Sequence, residues 1–279
     1  MGKLLIVDGS NLLFQMFYGM PARILGKQGK PIQGTVGFVG ALLKIIRMVR
    51  PTHVAVVFDG ECHNPRKDID ADYKANREDY SQMAEEDIPF SQLPDIYAAL
   101  DYLGICHAET ADCEADDWMA GYALTYGDRD VVIASQDSDL FQLITEKVRI
   151  LRYRGKKTVI CDEKYIESKL HIKPLRYADF KALVGDGSDN IRGVAKVGPK
   201  TAAALLAQFG DLESILRRTE EIERPLIRAS VQQHAERARL NYLLVKLDGQ
   251  VALPFSWEIL SWQDPGVTSA QVLKAIHIY

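Results

Sequence analysis

A chain of 279 residues with 47% hydrophobic and 26% charged content is long enough to bury a sizeable core, in one large domain or two. It has no apolar run of the ~18 residues that a membrane span needs, and Met1 to Asp8 turns acidic too soon for a signal peptide, so a cytoplasmic protein with no membrane partner is expected. Cys62, Cys106, Cys113 and Cys161 form no Cys-x-x-Cys pair and have no His at zinc spacing, so they read as reduced, packed thiols, and the net charge of −4 argues at face value against a nucleic-acid partner.

Taken in order, Lys3 to Gly9 is an apolar run closed by Asp8 and Gly9, the pattern of a buried parallel strand. The spacing of Val36, Val39, Leu42, Leu43, Ile46 and Val49 predicts an amphipathic helix over Gly34 to Arg50, stopped by Pro51. Thr52 to Gly60 repeats the first pattern and places Asp59 at a second strand end. A long polar insertion follows from Glu61 to about Ser91, and if it is helical Arg66, Asp70, Lys74 and Arg77 share one face. That face reads either as solvated surface or as a phosphate clamp above the strand ends.

Cys113 to Ala120 packs Glu114, Asp116 and Asp117 into four positions before turning apolar with helical spacing. In a helix starting there the three carboxylates can converge on one point, although acids also favour a first helical turn for its dipole. In a third stretch, Asp130 to Asp139, the strand runs into Asp137 and Asp139, and a further acidic knot, Gly185 to Ile191, carries Asp186 and Asp189. Any single strand-end Asp is explained by turn preference. Three strands ending in acid, with helices between them, instead imply a mostly parallel sheet whose ligand crevice is lined with carboxylates.

Hard oxygen donors without Cys or placed His select Mg²⁺ or Mn²⁺ over zinc. The nine carboxylates Asp8, Asp59, Glu114, Asp116, Asp117, Asp137, Asp139, Asp186 and Asp189 exceed the needs of one ion, so two are expected, the arrangement that activates water and stabilises a leaving oxygen in phosphodiester hydrolysis. Setting those nine aside leaves the remaining surface net basic. Lys147 to Lys157 concentrates six positive charges alternating with apolar residues, as in a half-buried hairpin or an ordinary solvated strand face.

Leu5-Ile6-Val7-Asp8-Gly9, Phe58-Asp59, Asp72-Tyr73-Lys74-Ala75-Asn76-Arg77, Glu114-Ala115-Asp116-Asp117, Ser135 to Leu140, Gly185 to Ile191 and Gly193 to Ala202 together resemble, in order and spacing over nearly the whole chain, the 5′-3′ exonuclease and flap endonuclease family. The likeness is strongest to the nuclease domain of bacterial DNA polymerase I and its stand-alone relatives. The resemblance implies a PIN-like α/β domain over residues 1–170 with a helical arch inserted at about 61–91, and a helical DNA-binding region over 171–279 with a helix-hairpin-helix at about 186–208. It implies one metal site of Asp8, Asp59, Glu114 and Asp116, a second of Asp137, Asp139, Asp186 and Asp189, and Asp117 near their boundary. Lys74, Arg77 and Asp116 would be catalytic. Arg66, Lys74, Arg77, Arg192, Lys196, Gly198, Lys200 and Thr201 would bind DNA, and main-chain carbonyls at Val194 and Val197 a K⁺ ion.

The activity implied is a structure-specific 5′ nuclease of replication and repair, monomeric, with two Mg²⁺ or Mn²⁺, acting on DNA with a 5′ flap, nick or free 5′ end. The competing readings are a catalytically weakened DNA-structure binder of the same fold and a metal-dependent ribonuclease. Two positions depart from the family: Lys196 stands where Gly is usual and Gln15 where Arg is usual. The resemblance leaves open a stand-alone nuclease or a part of a longer polymerase.

Overall fold

Unbroken burial of Leu4 to Val7 makes the first strand the spine of a six-stranded sheet. This computed structural model describes residues 2–27, 29–60, 64–77, 80, 83–84 and 87–278. Strand β1 (Lys3–Asp8) pairs in parallel with β2 (His53–Phe58) on one side and β4 (Asp130–Ala134) on the other. Outside them lie β3 (Cys106–Glu109), beside β2, and β5 (Val148–Arg152), beside β4. Strand β6 (Val159–Cys161) closes that edge antiparallel, giving the order β3-β2-β1-β4-β5-β6. The direction of strand addition reverses between β1 and β4, so the carboxyl ends of these two strands flank the crevice where an open α/β sheet binds ligand.

Both faces are covered, which is why the strands read as continuous apolar runs rather than alternating ones. Leu5, Val7, Val54 and Val56 face a core shared with α1 (Gly9–Gly19), α2 (Gln33–Val49) and α4 (Leu93–Tyr102). Leu4, Ile6, Ala55 and Val57 face α5 (Ala115–Thr125) and a core that continues without a break into the helical half. That half comprises α6 (Glu163–Leu170), α7 (Tyr177–Val184), a minimal hairpin of β7 (Gly185–Asp186) and β8 (Ile191–Arg192), then α8 (Pro199–Phe209), α9 (Leu212–Arg217), α10 (Pro225–Gln233) and α11 (Ala235–Val245). The chain then returns to the sheet. Trp262 N–H donates to the Thr52 carbonyl (2.9 Å), and α12 (Ser269–Ala275) packs on α2 and α4.

The insertion departs from expectation. Residues 61–63, 78–79, 81–82 and 85–86 of the predicted arch lie outside the described residues, so Glu61 is not placed. Of the rest, only α3 (Pro65–Ile69) leads in as α-helix, capped by Asn64. Asp70 is extended and Lys74 adopts a left-handed φ of 56°, so a single helical face joining Arg66, Asp70, Lys74 and Arg77 does not exist. A left-handed residue ends any helical run through it. No helix among the described residues is long and apolar enough to cross a membrane.

Candidate active site

The carboxyl ends of the parallel strands carry the acids. Asp8 ends β1 and caps α1, accepting the Asn11 amide at 2.9 Å, while the Ser135 hydroxyl beyond β4 donates to its other oxygen at 2.7 Å. Asp59, one residue past β2, accepts the Ala115 amide at the first turn of α5 (2.9 Å), so it fixes the end of the helix that presents Asp116. Asp137 accepts the Asp139 amide (2.8 Å) in the tight turn after β4. Asp139, Asp186 and Asp189 bring carboxylate oxygens within 4.8 Å of one another, Asp186 ending β7 and Asp189 lying in the loop that leads to β8.

Electrostatics tests whether these donors suit hard cations. Burial, then the charges of Asp59 and Asp137, pushes Asp8 up to about 7. Burial and Asp137 push Asp139 to about 7 as well. Asp116 is raised well above the carboxylate range by burial and then by Asp137, Asp8 and Asp59. Asp137 thus acts on Asp116 and Asp139 alike, and Asp139 Oδ1 is buried without a hydrogen bond, facing the Lys181 ammonium at 3.5 Å. Clustered carboxylates that resist ionising together form a donor set that a divalent cation completes. Asp139, Asp186 and Asp189 are the residues, among those described, whose oxygens converge closely enough to hold such an ion, while Asp8, Asp59 and Asp116 lie with Asp137 at the neighbouring strand ends.

Two residues are corrected by their surroundings. Asp117 was expected to converge with Glu114 and Asp116; instead its carboxylate receives a two-pronged bond from Arg66 (2.7 and 3.0 Å) and the Asp248 amide (2.9 Å). A helix turns by 100° per residue, and Asp117 faces the junction with α11 while Asp116 faces the crevice. Arg66, expected on DNA, is only 7% exposed and also binds Glu114 at 2.6 Å. Glu114 further accepts Lys74 Nζ and Tyr73 Oη (3.3 Å), so it meets protein donors on both oxygens.

Lys74 and Arg77 stand at the crevice. The Lys74 ammonium is raised despite burial by Glu114 and Asp189, and Arg77 reaches Asp189 at 3.3 Å. The loop carrying them is joined to the β7–β8 loop: the Lys74 amide donates to the Asp189 carbonyl (3.0 Å), Asn76 to the Gly187 carbonyl (2.9 Å) and Asn190 to the Asp72 carbonyl (2.8 Å). Sequence reasoning missed Tyr73, Ser135 and Lys181. Lys181 Nζ pairs with Asp186 and, at 3.5 Å, with Asp139; against the cost of burial it and Ser188 hold Asp186 below the usual carboxylate range. A lysine inside the apolar run of Tyr177–Val184 was the available signal.

Gly193 lets the hairpin close, because a Cβ there would lie 2.1 Å from the Val184 carbonyl oxygen. Lys196, expected to depart from the family's glycine, occupies a left-handed turn, φ 64°, a backbone that glycine adopts at least cost. Gly198 caps α8, Pro199 opens it, and Lys200 and Thr201 occupy its first turn, with Arg192, Lys196, Gly198 and Lys200 exposed. Val194 and Val197 are buried, and the Val194 carbonyl accepts the Val197 amide at 3.0 Å. Gln15 uses its amide on the Tyr153 carbonyl at 2.7 Å. The basic stretch folds as the expected β5–β6 hairpin; Arg152 and Arg154 bind Gln136 beside Asp137, and Lys156 and Lys157 are exposed.

Fold and site define an α/β protein whose sheet edge suits hard divalent cations. The description "5'-3' exonuclease, N-terminal resolvase-like domain" fits residues 3–171, and "5'-3' exonuclease, C-terminal SAM fold" fits residues 172–268. A 5'-3' exonuclease of Aquifex aeolicus is 34% identical over 267 residues, covering 95% of this chain and 88% of that protein. DNA polymerase I of Rhizobium leguminosarum is 35% identical over 266 residues, covering 92% of this chain but 26% of the polymerase, so the chain spans about a quarter of that relative. In fold it is similar to a bacteriophage T5 flap endonuclease solved as a pseudo-enzyme-product complex with DNA and metal ions, at TM-score 0.73 and 24% identity over 88% of this chain and 89% of that one. The chain belongs to the 5′-3′ exonuclease family, with a PIN-like, mostly parallel sheet and a helical C-terminal half.

Proposed function

We propose that the protein hydrolyses DNA phosphodiesters near a free 5′ end or 5′ flap, using two Mg²⁺ ions and leaving a 5′ phosphate and a 3′ hydroxyl. The observation that carries this reading is the placement of Lys74 and Arg77 against Glu114 and Asp189, at the mouth between the two acidic groups. Divalent cations in such a pair of sites lower the pKa of water and neutralise charge developing on the leaving oxygen. The chain's own residues orient the substrate. Lys74 and Arg77 meet the scissile phosphate, the insertion admits a single 5′ strand, and the exposed start of α8 takes a duplex phosphate on its free amides with Lys200 and Thr201. Arg192 and Lys196 flank that contact, and K⁺ would sit at the carbonyls of Val194 and Val197. The protein would act in the cytoplasm as a monomer.

Labelled 5′-flap, nicked and single-stranded DNA, and matched RNA, incubated with and without Mg²⁺, test the reading. Cleavage of flap DNA only with Mg²⁺, abolished by Asp116→Asn but with flap binding in EDTA retained, supports it. DNA left intact under all conditions, or wild-type cleavage by the variant, overturns it.

A further inference from the structure

Arg66 makes four polar contacts inside the protein. Its Nη1 lies 2.6 Å from Glu114 Oε2 and 3.0 Å from Asp117 Oδ2, and its Nη2 lies 2.7 Å from Asp117 Oδ1 and 3.2 Å from the Lys246 carbonyl oxygen. The planar fork suits such bidentate pairing, and the geometry fixes where the guanidinium can sit. Asp117 is held from the other side by the Asp248 amide at 2.9 Å. The result is an alternating line of charge, Asp117 to Arg66 to Glu114 to Lys74, that starts where α11 ends and finishes at the crevice.

We infer that Arg66 is a positioning residue: anchored by Asp117 and the Lys246 carbonyl, it fixes the Glu114 carboxylate, and Glu114 fixes the Lys74 ammonium at the acidic centre. The loop geometry alone does not place that ammonium. Lys74 sits in a left-handed turn beyond an extended Asp70, its amide bonded to the Asp189 carbonyl and its carbonyl to the Arg77 amide, which fixes the backbone and leaves the side chain free to swing. Its long flexible side chain needs a partner with a defined position, and Glu114 has one only because Arg66 and Tyr73 hold its other oxygen. The same line gives the helical half a route to the crevice, since a shift of Lys246 or Asp248 at the end of α11 moves the anchor of Arg66.

This inference rests on the reading of Lys74 as a phosphate-contacting group, and its test separates the two. Arg66→Met, Asp117→Asn and the double variant are compared with wild type in two measurements. The double variant removes both charges of the Arg66–Asp117 pair, so Asp117 is not left as an unpaired buried carboxylate, and Glu114 keeps Lys74 and Tyr73. In the first, competitive acetylation in the absence of DNA is read by mass spectrometry, with exposed Lys200 as internal standard. Lys74 is expected to react several-fold faster in all three variants while other buried lysines do not change. In the second, single-turnover cleavage of flap DNA is expected to fall by about a hundredfold, the effect of misplacing a reacting group by about an ångström. The double variant should be no worse than Arg66→Met, and Lys74→Ala should add nothing to it. Unchanged Lys74 acetylation in a folded double variant overturns the inference whether or not DNA is cut. Multiplying losses for Arg66→Met and Lys74→Ala overturn it too. Faster acetylation in an enzyme that cuts no DNA upholds the line of contacts and removes the proposed reaction.

Discussion

The Ser135 hydroxyl donates to Asp8 across 2.7 Å and so joins the loop after β4 to the end of β1 at the point where the strand order reverses. That bond favours the ionised form of a carboxylate which burial and two neighbouring acids push the other way. Ser135→Ala is expected to weaken Mg²⁺ binding by about tenfold, the usual size of losing a hydrogen bond behind a metal ligand. A Mg²⁺ titration of cleavage that superimposes on wild type would show that the bond is incidental.

Stability should depend on pH in a direction set by the acids. Asp8 and Asp139, both raised to about 7, bind protons in the folded state at pH values where the unfolded chain has lost them. Their contribution is fully present below the ordinary aspartate pKa and declines as pH climbs towards 7. Each represents up to about 4 kcal/mol for a shift of about three units. Melts in EDTA are therefore expected to show declining stability between pH 4 and 7, and Mg²⁺ to raise Tm more at pH 7.5 than at pH 5. An equal rise at both pH values would refute this.

Lys74→Ala should cut the single-turnover rate roughly a hundredfold or more, as when one oxyanion donor is removed, with duplex affinity unchanged. Asp139→Asn should give a milder loss that added Mg²⁺ partly restores. A flap whose 5′ end is blocked by a bulky group before mixing should resist wild type. Equal cutting of blocked and free flaps would assign 5′-end selection to something other than the insertion.

Lys196 and Lys200 have separable roles to test. Its left-handed backbone costs about 1–2 kcal/mol, and glycine gives back roughly 0.5–1 kcal/mol of that in chain entropy. Lys196→Gly is therefore expected to stabilise by about 0.5–1 kcal/mol, read as a small rise in Tm. Lys200→Ala, by contrast, should leave Tm unchanged and lower the salt slope of duplex binding by about one, uniformly across sequences.

The sheet was legible because a strand buried on both faces must be apolar throughout, so Lys3–Asp8, His53–Phe58 and Asp130–Ala134 announce themselves, and the residues that end them follow at once. The insertion was not. Charge spacing at i, i+4 and i+8 mimics a helix face, but helices need propagation through every residue, and Lys74 turns left-handed to place its amide on Asp189. Asp117 and Arg66 were misread for a related reason. Local sequence shows which carboxylates are neighbours, whereas which one a cation already occupies depends on a guanidinium 51 positions away. Tyr73, Ser135 and Lys181 are ordinary residues made important by what lies opposite them, information carried by the fold alone.

The central strand has a history as well as a place. Ile6 lies opposite Ile133, and its face shares a core with Leu205 and Val231, so its covering arrives from segments translated far later. At ~5–20 residues per second, about 125 residues of separation mean roughly 6–25 seconds during which a Leu-Leu-Ile-Val segment has emerged without its second neighbour. The first strand of this sheet to be made is among the last to be enclosed. Nascent chains interrupted before β4 should therefore be held by a chaperone or aggregate, and the burden of making this protein falls on the ribosome's surroundings rather than on the finished molecule.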